Sequence, residues 1–234
     1  LQLLLETLGA EPVSWIIRKN KNSGRPIYSV AGTRKDRIDL ELILPEGLER
    51  QPRLVSLQLQ TGDTAHDDLL RPATYRVEGV DSAEGDVTVE LTQPGEKREL
   101  TFILEDPNQV QVRKTLVFDA DRYETDLIVS LKRGGQVVPQ VKVAVGPSIG
   151  DTGVDYHTFY SVAPESVAFV NNRLERHPAA GINGNSSSPD KLVLNGPIDW
   201  AGVADTYFGM VAVPPQKTEG LEYHTTAYEH KPEG

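Results

Sequence analysis

The chain has 234 residues, 38% hydrophobic and 25% charged, enough apolar material for a sizeable core and too much for wholesale disorder. Its 24 Lys and Arg against 34 Asp and Glu leave a net charge of −10, the wrong sign for a nucleic-acid backbone or for flat adsorption onto an anionic lipid surface. With no cysteine, disulfide staples, thiolate nucleophiles and cysteine-ligated zinc are excluded.

The opening Leu1 to Leu5 is far shorter than the ~20 apolar residues of a membrane helix and lacks the basic flank of a signal peptide. The chain begins inside this apolar run without a Met, so we expect it to be a piece of a longer protein. Residues 45–53 read as a charged, Pro-bearing loop. Strict alternation over residues 87–92 predicts a strand, the run Gln93-Pro94-Gly95-Glu96 a turn, and residues 100–104 a second strand. Residues 114–118 form the next. Residues 123–131 follow, with Tyr123, Thr125, Leu127, Val129 and Leu131 on one side. Gly134-Gly135 supplies positive-φ residues for a hairpin into residues 137–145.

The segment Pro164-Glu165-Ser166-Val167-Ala168-Phe169 is the one candidate for a helical turn, since Pro suits a first helical position. Residues 181–190 are a Gly/Asn/Ser loop, and the stretch after His224 turns polar, so further C-terminal strands are expected to be missing. No 3.6-residue period persists for three turns, and the crossover helices of a parallel sheet are absent. The pattern predicts an all-β, antiparallel sandwich with minor short helices, residues 1–234 forming a single domain.

Chemistry is harder to find. Asp63, His66, Asp67 and Asp68 are the densest group of possible metal ligands, but adjacent carboxylates diverge on an extended segment. Asp155 with His157, and Glu222 with His224, could share strand faces; surface ion pairing is the simpler reading of both. There is no Gly-x-Ser-x-Gly elbow, Walker loop or dinucleotide fingerprint. No catalytic, cofactor-binding or metal-binding residue is assigned.

Three segments in order resemble one family. The first is Gly9-Ala10-Glu11-Pro12-Val13-Ser14-Trp15-Ile16-Ile17 with its basic continuation and Gly24-Arg25-Pro26. The second is Lys114-Thr115-Leu116-Val117-Phe118 with Tyr123. The third and most specific is Trp200-Ala201-Gly202-Val203-Ala204-Asp205-Thr206-Tyr207-Phe208. Together they resemble the periplasmic domain of YidC-type bacterial membrane-protein insertases. Departures are Gly9-Ala10, where the family usually shows Gly-Gly, and a basic, glycine-rich 132–136 hairpin. The strands expected after the Tyr-Phe pair, beyond an apolar run at 209–213, are not evident.

The resemblance implies a β-supersandwich, related in shape to galactose-mutarotase and carbohydrate-binding sandwiches. It implies no enzyme activity and no cofactor. The domain would lie on the periplasmic side of the inner membrane, within a membrane-embedded parent. Its partners would be Sec-translocon components such as SecDF and nascent membrane proteins. Trp200, Gly202, Tyr207, Phe208, Lys114, Thr115, Phe118 and Tyr123 are the signature positions, expected to serve packing rather than to line a ligand groove. The alternative is a carbohydrate-binding or carbohydrate-active sandwich, which needs exposed aromatics and convergent carboxylates in a cleft. Capture of a peptide at an open sheet edge is compatible with either.

Overall fold

A computed structural model describes residues 1–50, 53–80, 85–106, 110–147, 150–151, 154, 162–183 and 190–225. Its first elements are strands β1 (Gln2–Glu6), β2 (Glu11–Ile17) and β3 (Leu40–Glu41), helix α1 (Pro45–Glu49), β4 (Leu59–Gln60) and helix α2 (Thr64–Leu70). Then come β5 (Arg76–Glu78), β6 (Val87–Glu90), β7 (Lys97–Glu105), β8 (Val110–Asp119), β9 (Thr125–Arg133), β10 (Gln136–Val137) and β11 (Lys142–Val143). The last are β12 (Glu165–Val170), β13 (Arg173–Pro178), helix α3 (Ala179–Asn183), β14 (Lys191–Ala204), β15 (Gly209–Ala212) and β16 (Thr218–His224). Among the described residues strand outweighs helix by 48% to 9%, and every named strand pair is antiparallel, so the fold is all-β as its alternation predicts.

These elements fall into two compact units. The first comprises Leu1–Ile43 and Val55–Ala144, the second Leu44–Leu54 and Val145–Gly234.

The first unit is a sandwich. One sheet has the order β3-β2-β1-β6 and the other β10-β9-β8-β7-β5, with β11 and β4 paired beside them. Alternation places Val110, Val112, Leu116 and Phe118 of β8 inward, against Leu3 and Leu5 of β1 and Val87 and Val89 of β6 in one apolar cluster. Phe118 meets Trp15 of β2 edge-on, at 6.1 Å between ring centroids. The β9–β10 hairpin turns at Gly134 and Gly135, φ +56° and +79°, as the sequence predicts. The strand expected to run on through residue 145 breaks instead after Val137. Residues 142–143 leave the hairpin and pair with β4, Val143 opposite Leu59.

Tyr123 departs from expectation as well. The Asp119 carboxylate accepts the Asp121 N–H at 2.8 Å, forming a turn that delays the strand until Thr125. Thr125, Leu127, Val129 and Leu131 share the inner side, while Tyr123 precedes the strand and is 53% exposed. Residues 64–70, considered in the sequence as an extended segment, are helix α2. Asp63 caps it by accepting the Ala65 N–H at 3.0 Å, and Leu70 buries its other end. Part of the 45–53 loop is likewise a short helix, α1, with Pro45 in its first turn.

The second unit is built on β14, which is 14 residues long. One edge of β14 pairs with β12, which pairs in turn with β13. The chain then reverses through residues 205–208 and runs back along β14 as β15 and β16, with Ala204 opposite Gly209 and Lys191 opposite His224. The segment expected to form a helical turn at 164–169 is therefore strand β12: its Val167, Ala168 and Val170 are buried and it is paired on both sides. Asn171 and Asn172, φ +51° and +60°, make its two-residue turn into β13. Strand β16, invisible to the sequence reading, extends the sheet beyond the Tyr-Phe pair. Ala168, Val170, Ile198 and Tyr223 cover one face, and Ile182 of α3 packs on them. The Asp155–His157 pair and residues 184–189 of the Gly/Asn/Ser loop lie outside the described residues.

Gly202 is where β14 and β15 come closest. A Cβ there would lie 2.0 Å from the Met210 carbonyl oxygen, so only a bare α-carbon fits without moving backbone. Gly202→Ala is expected to destabilise the chain by about 1–3 kcal/mol, read as a lower urea midpoint at unchanged slope.

Candidate functional site

The signature residues separate into a buried centre in the first unit and an aromatic face in the second. The buried centre is Lys114. It occupies an inward position of β8 between Val112 and Leu116 and is completely enclosed. Its ammonium crosses the sandwich and donates to the carbonyl of Ala10, in the turn from β1 to β2. That turn is held on its other side by Gly9 N–H donating to the Ala73 carbonyl at 2.8 Å and Tyr75 N–H donating to Thr7 at 2.9 Å. Gly9 is required there: φ is +68°, and a side chain would strike the Glu11 carboxylate at 2.7 Å.

Glu11 is itself buried and accepts from the Gln58 side-chain amide at 2.9 Å. Burial pulls the Lys114 pKa down from 10.5 to about 8, while the negative charge of Glu11 works in the opposite direction. Burial, and secondarily Glu11, also pushes the Tyr75 phenol well above its usual range. A desolvated lysine with a depressed pKa could act as a base or nucleophile if a substrate reached it. Here the polar end is spent on a backbone carbonyl inside a packed core. Of this group only Lys114 stood out in the sequence. Glu11, Gln58 and Tyr75 did not, though a glutamate opening the apolar run Val13 to Ile17 was the available signal.

The other residues of the second motif have separate tasks. Thr115 points away from the sandwich core, its hydroxyl 2.8 Å from that of Thr101 on β7. Phe118 is fully buried against Trp15. Tyr123, outside the core, accepts the Lys21 N–H at 2.9 Å through its hydroxyl, which donates to the Lys19 carbonyl at 3.4 Å. The Lys21 ammonium lies 5.4 Å from its ring centroid.

In the third motif, the Asp205 carboxylate accepts the N–H groups of Tyr207 and Phe208 at 2.6 and 2.7 Å, locking the turn between β14 and β15. Tyr207 therefore stands at the tip, 62% exposed, and does not pack in the core; Phe208 is half-buried. Trp200 is directly opposite Phe169, and the two half-buried rings stack at 6.3 Å with 16° between planes. Leu174 is opposite Phe169, and Val211 opposite Gly202, so these side chains continue the same face; they are 54% and 44% exposed. The sheet thus has a core face and an apolar outer face, the latter carrying the most specific part of the sequence motif.

The carboxylate groups considered for metal binding are engaged locally. Asp63 caps α2 and meets His66 at 3.0 Å, Asp67 accepts from the Thr61 N–H at 2.6 Å, and Asp68 pairs with Arg71 at 3.3 Å. Glu222 lies 3.1 Å from Lys191 and 3.4 Å from His224. No three His, Asp or Glu side chains are grouped to hold a metal among the described residues.

Fold and site define an all-antiparallel β protein of two units, one a sandwich organised by a buried lysine, the other a sheet with a half-buried aromatic pair on its outer face. The family model described as the YidC periplasmic domain matches residues 35–232, and the chain belongs to that family. No curated protein matches the chain, nor does any solved structure. Membership places the domain outside the cytoplasm, in a membrane protein. No helix among the described residues is long and apolar enough to cross a membrane. Ala10 adopts φ +54°, a conformation costing a non-glycine residue roughly 1–2 kcal/mol, and its carbonyl meets Lys114.

Lys114→Met should destabilise the chain by about 3–5 kcal/mol in urea unfolding, because Glu11 is left buried without its cation. Adding Glu11→Gln should recover part of that loss. The native state releases the Lys114 proton at lower pH than the unfolded chain does. The parent should therefore gain stability over the double variant as pH rises from about 8 to 10.5.

Proposed function

We propose that this chain is a non-catalytic periplasmic domain of an inner-membrane protein insertase and acts by contact. Its role would be a scaffold or docking surface for Sec-translocon partners such as SecDF, or for emerging segments of nascent membrane proteins. Family membership supports the insertase setting. The observation that carries the contact role is the outer face of the second unit's sheet, where exposed Leu174 and Val211 flank the half-buried rings of Phe169 and Trp200. Exposed apolar residues set side by side on a rigid sheet are a common property of protein-contact surfaces, and aromatic residues anchor such contacts.

A carbohydrate-active sandwich would place a free aromatic platform beside convergent acids. Here the Trp200 ring is stacked on Phe169, and the nearby acids are held in ion pairs, Asp199 with Lys217 and Glu165 with Arg176. Lys114 supplies a perturbed amine, but its enclosure and its carbonyl partner support a structural role.

The test is a photo-crosslinking residue placed at Leu174 or Val211 in the full-length insertase. Both positions should crosslink to SecDF or to a nascent membrane protein, and a probe at exposed Ile128 of the first unit should do so far less. Leu174→Glu with Val211→Glu should weaken the association about tenfold or more. Equal labelling from Ile128, or no polypeptide adduct at either position, would contradict the contact role.

A further inference from the structure

The whole-chain charge conceals a segregation. Between residues 18 and 37, Arg18, Lys19, Lys21, Arg25, Arg34, Lys35 and Arg37 face a single acid, Asp36, giving this segment a net charge of +6 in a chain of −10. The segment is the connection from β2 to β3, and it is folded back on itself twice. In the first turn Gly24 N–H donates to the Asn20 carbonyl at 2.8 Å and Ile27 N–H to Arg18 at 3.0 Å. In the second, Ser29 N–H donates to Ile38 at 2.9 Å, and Thr33 and Asp36 close the tip, the Thr33 N–H donating to the Asp36 carbonyl at 2.7 Å. Tyr123 holds its root, since its hydroxyl engages both Lys21 and Lys19.

Arg18 is paired with Asp39 at 3.0 Å. Among the described residues, none of Lys19, Arg25, Arg34, Lys35 and Arg37 has a carboxylate partner. Arg25, Arg34 and Arg37 line one shallow depression with Tyr28, whose ring lies 4.7 Å from the Arg37 guanidinium carbon. Among these charges stand exposed apolar side chains: Val30 at 65%, Ile38 at 48% and Tyr28 at 39%.

We propose that this platform docks on the anionic phospholipid headgroups of the membrane that the domain faces. Uncompensated cations attract phosphate-bearing headgroups, and arginine forks suit phosphate oxygens. Valine, isoleucine and a tyrosine tip add what an interfacial site needs beyond charge: apolar groups to enter the headgroup boundary, and an aromatic that prefers it. An acidic polypeptide would match the charge but leaves Val30 and Ile38 without a role. The overall acidity then works as orientation, keeping the rest of the surface off an anionic bilayer while the loop approaches it. This goes beyond the protein-contact face of the second unit. It rests on the extracytoplasmic membrane setting of the family, but most of the loop precedes the matched residues 35–232.

The test is cosedimentation of the 234-residue chain with vesicles of phosphatidylglycerol and phosphatidylcholine, against phosphatidylcholine alone, at low and high salt. Binding should require phosphatidylglycerol and fall as salt screens the charges. Binding should fall about tenfold or more in Arg25→Glu/Arg34→Glu/Lys35→Glu/Arg37→Glu. The milder Arg34→Gln/Lys35→Gln and Val30→Ser/Ile38→Ser pairs should each lose several-fold, with thermal unfolding unchanged. Equal binding to pure phosphatidylcholine, or no loss in the charge variants, would overturn the proposal. So would capture of soluble polyglutamate or inorganic phosphate in preference to vesicles. Leu174→Glu/Val211→Glu should leave vesicle binding intact, so failure here and failure of the contact face are separately visible.

Discussion

The first unit depends on an ammonium group placed where apolar side chains alone would be expected. Lys114 belongs to the inward row of β8, flanked by Val112 and Leu116, and its charge is tolerated because two compensations meet it from the facing sheet: the Ala10 carbonyl directly and the Glu11 carboxylate through the field. Such a polar tie is poor value as net stability when set against a well-packed apolar replacement. What it supplies is uniqueness. A sheet that slides by one residue turns its inner row outward, and a lysine that must find one carbonyl across the core penalises that slip far more than interchangeable aliphatics would. The left-handed turn at Gly9 and Ala10 belongs to the same arrangement, because it presents that carbonyl inward.

The second unit solves a different problem. Its long strand β14 is paired with β12 on one edge and with β15 and β16 on the other, and α3 helps to cover only one face. Asp205 fixes the reversal and Gly202 lets the strands approach, so the Trp-to-Tyr-Phe motif is chiefly a prescription for a tight, precisely registered hairpin. The aromatic stack of Trp200 and Phe169 on the outer face follows from a different pairing, the register of β12 on β14, which sets the two residues opposite one another. Motif residues expected to share one packing role therefore divide: Phe118 and Lys114 lie inside, Trp200 on a half-open face, and Tyr123 and Tyr207 outside.

Where side-chain period decided the outcome, the structure was legible in the sequence. The strands expected at 87–92, 100–104, 114–118 and 123–131 are the strands at 87–90, 97–105, 110–119 and 125–133, and Gly134-Gly135 turns as two adjacent positive-φ residues should. Where a single side chain outweighed the period, it was not. Asp63 capped a helix inside a stretch of polar residues, pairing on both edges made Ser166 to Val170 a strand, and the Asp119 turn moved Tyr123 out of register. Net charge hides local distribution, because a sum over 234 residues cannot reveal that seven of its 24 cations sit in one loop.

The most direct measurement of the buried tie is the titration of the Lys114 side chain itself, followed by NMR of a lysine-labelled chain. The account predicts one ammonium resonance, lost in Lys114→Met, that is protected from solvent exchange and titrates with a midpoint of about 8, apart from the surface lysines. A Lys114 resonance that exchanges freely and titrates near 10.5 with the rest would mean that the side chain lies in water, and the organisation described for the first unit would be wrong.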